Sequence, residues 1–283
     1  MRARAAVTAT AGPDGRTWLR ELRSAAPLPL RPTAEARYLA ASGAGPLGGD
    51  DLELTVRVEP GAQLVLRAVS AQVVLPGRGG EATFALRLSV ADGGSLTVLP
   101  EPTIVATGAR YRAVVAADLA AGASLVLREE ILLGRSGECG GVYRGRLRVT
   151  VGGRPLLRHD LELDGADPVT ASAGSAIADR VVGSLLVVRP ELAATATATA
   201  DSTRGTTQGT TEAGGAASSP TIPPRGAGWS EVHAAVLPLA GPGLLISATS
   251  ADPHALRECL ADHLGSWYRD QSSAAIGRTA GSR

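Results

Sequence analysis

No lysine occurs among the 283 residues, so all 28 basic side chains are arginine, set against 27 acidic ones for a formal net charge of +1. The arginines are scattered along alternating segments, and aromatic residues make up only 3% of the chain, with a single Phe. A nucleic-acid surface needs a basic stripe, and single strands need stacking platforms. Both are missing, so nucleic acid is not an expected partner. The absence of lysine beside abundant Ala, Gly and Arg reads as codon pressure in a GC-rich genome, which leaves individual arginines with little functional weight. Cysteine is also scarce. Cys139 and Cys259 are the only two, which points to a reducing compartment, and whether they approach each other stays open. Long apolar runs are lacking too. The longest, Val181 to Val188, is far short of the about 20 residues that span a bilayer. The N-terminal Met1-Arg-Ala-Arg-Ala-Ala-Val-Thr8 meets Gly12, Pro13, Asp14 and Gly15 before any apolar core of a signal peptide can form. Neither membrane contact nor secretion is expected, and the predicted location is cytoplasmic.

Catalytic and metal-binding signatures are equally thin. His159, His233, His254 and His263 form no HxxxH, HExxH or CxxC-associated arrangement. His254 and His263 would lie on opposite sides of a helix, unable to share an ion. Gly77-Arg-Gly-Gly80 lacks the ending of a phosphate loop and runs into a strand pattern, and Gly134-Arg-Ser-Gly137 falls one residue short of a nucleophile elbow. Glu129 and Glu130 are adjacent in a strand pattern, so their side chains point to opposite faces and cannot flank one glycosidic bond. No catalytic machinery emerges.

What the chain does contain is a repeat. Four times between Val56 and Asp160, alternating apolar residues lead into a glycine turn and out again: Val56 to Leu66 around Gly61, Leu88 to Val98 around Gly93, Ala117 to Leu127 around Gly122, and Leu147 to Leu157 around Gly152. The turn glycines lie 32, 29 and 30 residues apart, a period typical of stacked supersecondary units. Each copy reads as a hairpin that cannot bury its own apolar face. With no room for a helical crossover, the pattern predicts a mostly β fold of stacked antiparallel hairpin sheets, solenoid-like or sandwich-like. With 44% hydrophobic residues the chain can bury a full core without staples.

The β-rich body is expected over residues 1–192, with Val181 to Val188 as a buried strand. Residues 193–228, nearly all Ala, Thr, Ser, Gly and Pro, read as a disordered linker, with an Ala-rich helix over 193–200 as the structured alternative. Residues 229–270 should form two strands around Pro238 to Gly243 and then a helix. Asp252-Pro253 supplies its cap, and Leu256, Leu260, Leu264 and Trp267 form one docking face. Residues 271–283 read as a disordered tail.

Several words in order then resemble one family. Gly45-Pro-Leu-Gly-Gly-Asp-Asp-Leu-Glu-Leu, containing Gly48, Gly49 and Asp50, is similar to the glycine-glycine-aspartate segment of the urease accessory protein UreD, also called UreH. Leu99-Pro-Glu-Pro-Thr-Ile104 with Gly108-Ala-Arg110, Glu129-Glu-Ile-Leu-Leu-Gly-Arg135 with Gly137-Glu138, and Gly145 to Leu163 resemble its later segments. The resemblance runs from about Tyr38 to Arg189 and more loosely to the C-terminus. It implies a mostly β fold with helices near the C-terminus and a non-enzymatic cytosolic scaffold. Such a scaffold binds apo-urease and UreF, which recruits the GTPase UreG so that nickel reaches the urease active site. A water-filled tunnel proposed for the family would be the nickel route. Asp50 and Glu129 match acidic positions of the family, whereas Gln72-Val73-Val74 and His159 depart from its usual residues, and the 193–228 segment is expanded.

The expected nickel-path residues are therefore Asp50, Gln72, Glu101, Glu129 and His159, held by turns at Gly48, Gly49, Gly61, Gly93, Gly122 and Gly152. Oxygen ligands and neutral imidazole can pass Ni²⁺ without trapping it. No tightly bound cofactor and no firmly assigned metal site are expected, only transient Ni²⁺. The alternatives from other classes are a β-solenoid enzyme acting on polysaccharide, and an interaction module of another partner.

Overall fold

The computed structural model describes the backbone of residues 1–32, 37–39, 46–167, 180–192 and 232–277, and the side chains within 1–32, 46–167, 180–192 and 232–265. The expected linker at 193–228 lies outside the described residues. In chain order the strands are β1 (Arg2–Ala11), β2 (Thr17–Arg23), β3 (Arg31–Pro32), β4 (Arg37–Leu39), β5 (Asp51–Val58), β6 (Gln63–Ala68), β7 (Gln72–Val74), β8 (Ala82–Val90) and β9 (Ser95–Leu99). There follow β10 (Thr103–Val105), β11 (Arg110–Leu119), β12 (Ser124–Leu133), β13 (Val142–Val151), β14 (Arg154–Asp164), β15 (Val181–Val188), β16 (Val232–Pro238) and β17 (Gly243–Ser250), and then the helix α1 (Pro253–Gly277).

The fold is mostly β, two stacked sheets with a solenoid-like course and one C-terminal helix. One sheet has the order β14-β13-β11-β8-β5-β1-β2. The other runs β16-β17-β15-β12-β9-β6-β4-β3, with β10 and β7 joining beside β12. The expected antiparallel hairpins are corrected here. Gly61, Gly93 and Gly122 do not join partners within a sheet: each turn is an arch that carries the chain from the first sheet to the second. The arms then pair parallel with the same arms of the neighbouring copy. The reason is the nearly equal repeat length, which sets equivalent residues side by side: Val56 opposite Leu88, Leu88 opposite Ala117, Ala117 opposite Val149. In the second sheet Leu64, Leu96 and Leu125 align in the same way. A parallel ladder needs a long crossover, and passage through the opposite sheet provides it without a helix. Only the fourth copy, at Gly152, is a true antiparallel hairpin, between β13 and β14, and it closes one edge.

The arches stack as the strands do. The amide of Gly61 donates to the Asp92 carbonyl and that of Gly93 to the Gly122 carbonyl, each at 3.2 Å. Gly61 and Gly93 hold φ of +70° and +66°, a region that costs side-chain-bearing residues about 1–2 kcal/mol. Between the sheets, Leu52, Leu54, Val56 and Val58 of β5 meet Leu64, Leu66, Leu96, Val98, Leu125 and Leu127. The outer face of the seven-stranded sheet is polar and laced by cross-strand ion pairs such as Glu53 with Arg87, Glu81 with Arg112, and Asp160 with Arg148.

The outer face of the ten-stranded sheet is apolar instead, and α1 covers it. Asp252 caps the helix through its carboxylate, which accepts the His254 N–H at 2.8 Å, with Pro253 at the first turn. Leu256 and Leu260 are fully buried against Val181, Leu185, Val187 and Ile246, with Leu264 packed alongside. Gly183 makes the approach possible: a Cβ there would sit 2.5 Å from Leu256 Cδ2. The helix continues to Gly277, past the boundary expected at 270, because no proline or glycine interrupts residues 266–276. Cys139 is exposed and Cys259 half-buried, and both are free. Replacing Leu260 by Ala should lower the unfolding free energy by about 2–5 kcal/mol, measured by chemical denaturation of the whole chain.

Candidate functional site

One stretch of the second sheet is open. Strand β12 is continuous from Ser124 to Leu133, yet its neighbour on one side is not: β9 pairs with residues 124–127 and β10 with residues 131–133. The next layer breaks at the same level, between β6 and β7. Prolines at 100 and 102 have no amide to give to a ladder. Segments 69–71, 100–102 and 128–130 therefore frame a window through the sheet, crossed by a hydrogen bond from Arg128 Nη2 to the Pro100 carbonyl at 2.9 Å.

Behind the window lies a cavity of about 140 Å³ between the sheets, walled by Gln72, Glu101, Tyr111, Glu129 and Tyr143 among apolar residues such as Leu52, Phe84 and Ile131. A second cavity of about 220 Å³ shares Glu129, Ile131 and Tyr143 with the first and extends to His159, Ser184, Ser247 and Thr249. Strand alternation aims Glu129 into this interior. In the ladder Glu129 stands beside Ser184 and Ser184 beside Ser247, a polar row across an otherwise apolar inner face. Burial pushes the Glu129 carboxyl up to about 7. Tyr111 accepts a hydrogen bond from Gln72 Nε2 at 3.2 Å. Burial raises its hydroxyl, against the effect of that bond, and the Glu129 charge adds to the rise. Tyr143 is raised by burial first and then by Glu129 and Tyr111. Both phenols stay protonated around the carboxyl. Tyr143 has space because a Cβ at Gly145 would lie 2.6 Å from its hydroxyl.

Glu130, one residue on, faces the other way, as the strand pattern predicts. Its Oε2 lies 3.1 Å from Arg257 Nη2 of α1, and Arg257 Nη1 lies 2.6 Å from Glu101 Oε2. Arg128 Nε is 2.8 Å from Glu130 Oε1, close enough for charge pairing but without hydrogen-bond alignment.

Of the five expected path residues, Gln72, Glu101, Glu129 and His159 line this pair of cavities, and Asp50 lines neither. Asp50 is a turn residue: its carboxylate accepts the Leu47 N–H at 2.9 Å and pairs with the Met1 amine at 2.5 Å. Gly48 and Gly49 sit in the same turn, where a Cβ at Gly48 would lie 2.1 Å from the Pro76 carbonyl oxygen. Glu138 is also structural, since its carboxylate accepts the N–H groups of Arg135 and Thr107 and braces the turn after β12. Sequence reasoning missed Tyr111, Tyr143, Ser184, Ser247, Arg128 and Arg257. Polar residues inside the apolar runs of β12 and β15 were the available signal. A third hollow, on the outer face beside Arg112, Arg144 and Arg146, has its guanidiniums already paired with Glu81, Asp160 and Glu162. Among the described residues no three His, Cys, Asp or Glu side chains converge on one point, and no helix is long and apolar enough to cross a membrane.

The sequence model of the UreD urease accessory protein family matches residues 1–279. The chain belongs to the UreD family. It is 38% identical to the urease accessory protein UreD of Frankia alni, an alignment covering 94% of each chain. Against UreD of Parafrankia the identity is 38%, over 92% of this chain and 86% of the relative, and against UreD of Streptomyces coelicolor 36%, over 94% and 96%. Membership in UreD supports an accessory role in urease maturation.

The raised carboxyl sets a pH dependence. Between about 4.5 and 7 the unfolded chain ionises Glu129 while the folded chain keeps it protonated, so the unfolded state binds fewer protons and stability falls as pH rises through that window. Glu129→Gln should therefore melt at a higher temperature than the parent at pH 8 and at nearly the same temperature at pH 4, read by thermal unfolding at both values.

Proposed function

We propose that this chain is a non-enzymatic scaffold of urease maturation that binds apo-urease and UreF, recruits UreG through UreF, and lets Ni²⁺ pass through its inter-sheet space towards the urease active site. The observation that carries the conduit is Glu129, a half-buried carboxyl shared by two adjoining cavities between the sheets. The partners follow from kinship with UreD.

A carboxylate inside the protein that makes no ion pair with any described residue is costly, and a scaffold that only presented outer surfaces would have no use for one. In a conduit the ion meets its ligands in sequence: Glu101 at the window, Gln72 and Glu129 behind it, and then His159 with Ser184 and Ser247. Each station offers one or two oxygen or imidazole ligands, which suit Ni²⁺ but do not complete a coordination shell. Binding stays weak enough for release. The protein works in the cytoplasm, makes and breaks no covalent bond and keeps no resident cofactor.

Co-expression with the urease structural subunits tests both parts. Deleting this chain should leave urease without nickel and inactive; intact nickel content and activity would overturn the reading. Glu129→Ala should lower urease nickel content severalfold by metal analysis, while urease and UreF are still recovered with the variant. Loss of that recovery would instead make Glu129 a residue of the fold.

A further inference from the structure

The outer rim of the window carries an ion arrangement that helix docking alone does not require. Leu256 and Leu260 already anchor α1, yet Arg257 between them reaches two carboxylates that line the first cavity, Glu101 at 2.6 Å and Glu130 at 3.1 Å. The Glu130 side chain is 2% exposed, and among the described residues its Oε1 accepts no hydrogen bond. Arg257 and Glu101 are each about a third exposed, so the guanidinium has a path to solvent.

We propose that this rim is a divalent-cation site held closed by Arg257: the guanidinium occupies the position where a cation would bridge Glu101 and Glu130, and the cation enters by displacing it. This rests on the conduit reading above and adds its gate. Charge decides that the two must exchange. Glu101 and Glu130 already face Arg128 and Arg257, with Arg67 a third guanidinium of the same lining, so the closed rim holds no spare negative charge. A divalent ion added without removing Arg257 would leave an excess of uncompensated positive charge in a poorly solvated place. Displacement swings Arg257 outward while Arg128 stays, and two carboxylates supply hard oxygen ligands of the kind such ions accept. The next carboxylate, Glu129, is the adjacent residue of β12 on the inner face. An ion leaving the rim inward therefore crosses one strand to reach it. The gate also links occupancy to α1, because a bound cation removes the polar tether that Arg257 gives the helix.

Titration of the untagged, full-length protein with Ni²⁺ alone tests this by calorimetry. Arg257→Ala should bind about tenfold more tightly than the parent, because the resident competitor is gone, and adding Glu101→Gln and Glu130→Gln should abolish the gain. Equal or weaker binding by Arg257→Ala, or a gain that survives both glutamines, would overturn the gate. If Arg257→Ala does not fold, the unaltered protein still decides: Ni²⁺ should speed amide hydrogen exchange in residues 253–265, and unchanged exchange at saturating Ni²⁺ would overturn the proposal. None of these readouts uses urease. Should they fail while Glu129→Ala still lowers urease nickel content, the conduit stands and the gate falls.

Discussion

Nearly equal coil length is the constraint from which the other features follow. Because each arch brings the chain back after about thirty residues, a leucine or valine on one strand lies beside its counterpart on the next, and Leu64, Leu96 and Leu125 bury one another in a row. Each such side chain contributes about 1.5–3 kcal/mol by leaving water. A one-residue slip would turn the whole inner row to the outside. The arches are held to the same register by their own amide ladder at Gly61 and Gly93, so turn chemistry and core packing select the same alignment.

Such a regular stack leaves little room for polar groups, and this gives the interruptions their meaning. At the level of residues 69–71 and 100–102 both neighbouring strands break together while β12 runs on. The result is a hole in the sheet beside β12. The same three residues of β12 serve both sides of it: Glu129 inward among Tyr111 and Tyr143, Arg128 and Glu130 outward beneath α1. A continuous ladder there would have favoured apolar residues at all three positions. The helix then closes what the ladder leaves open, with leucines for adhesion and one arginine for charge.

Much of the fold was legible in the chain itself. The period-2 alternation marked the strands, the glycine spacing marked the repeat, and Asp252-Pro253 with Leu256 and Leu260 marked the helix and its docking face. Pairing direction was not legible, because an arch and a hairpin have the same local sequence: alternating arms around a glycine turn. They differ only in whether an arm bonds to the other arm or to the next copy, a choice made by contacts about thirty residues apart. At the site, Glu129 stood out as an acid before an apolar strand and Glu101 as an acid between prolines, while His159 was noticed only where the resemblance expects an acid. Asp50 looked alike in sequence, yet its carboxylate is spent on its own turn. Arg257 gave no local signal, being an ordinary charged residue on a helix until the helix is placed on the sheet.

The amino-acid order by itself determined that strands of alternating character would recur at a fixed interval, that their apolar sides needed neighbours, and that Glu129 and Glu130 would face opposite ways. These are properties of backbone geometry over a few residues, and they hold wherever the segment goes. Tertiary structure alone decided which cavity Glu129 enters, that His159 of one sheet and Ser184 of the other share its wall, and that Arg257 meets Glu101 and Glu130 across more than a hundred residues of chain. Those contacts exist only once two sheets and a helix have settled against each other, because what joins them is packing through space and charge in a poorly solvated place.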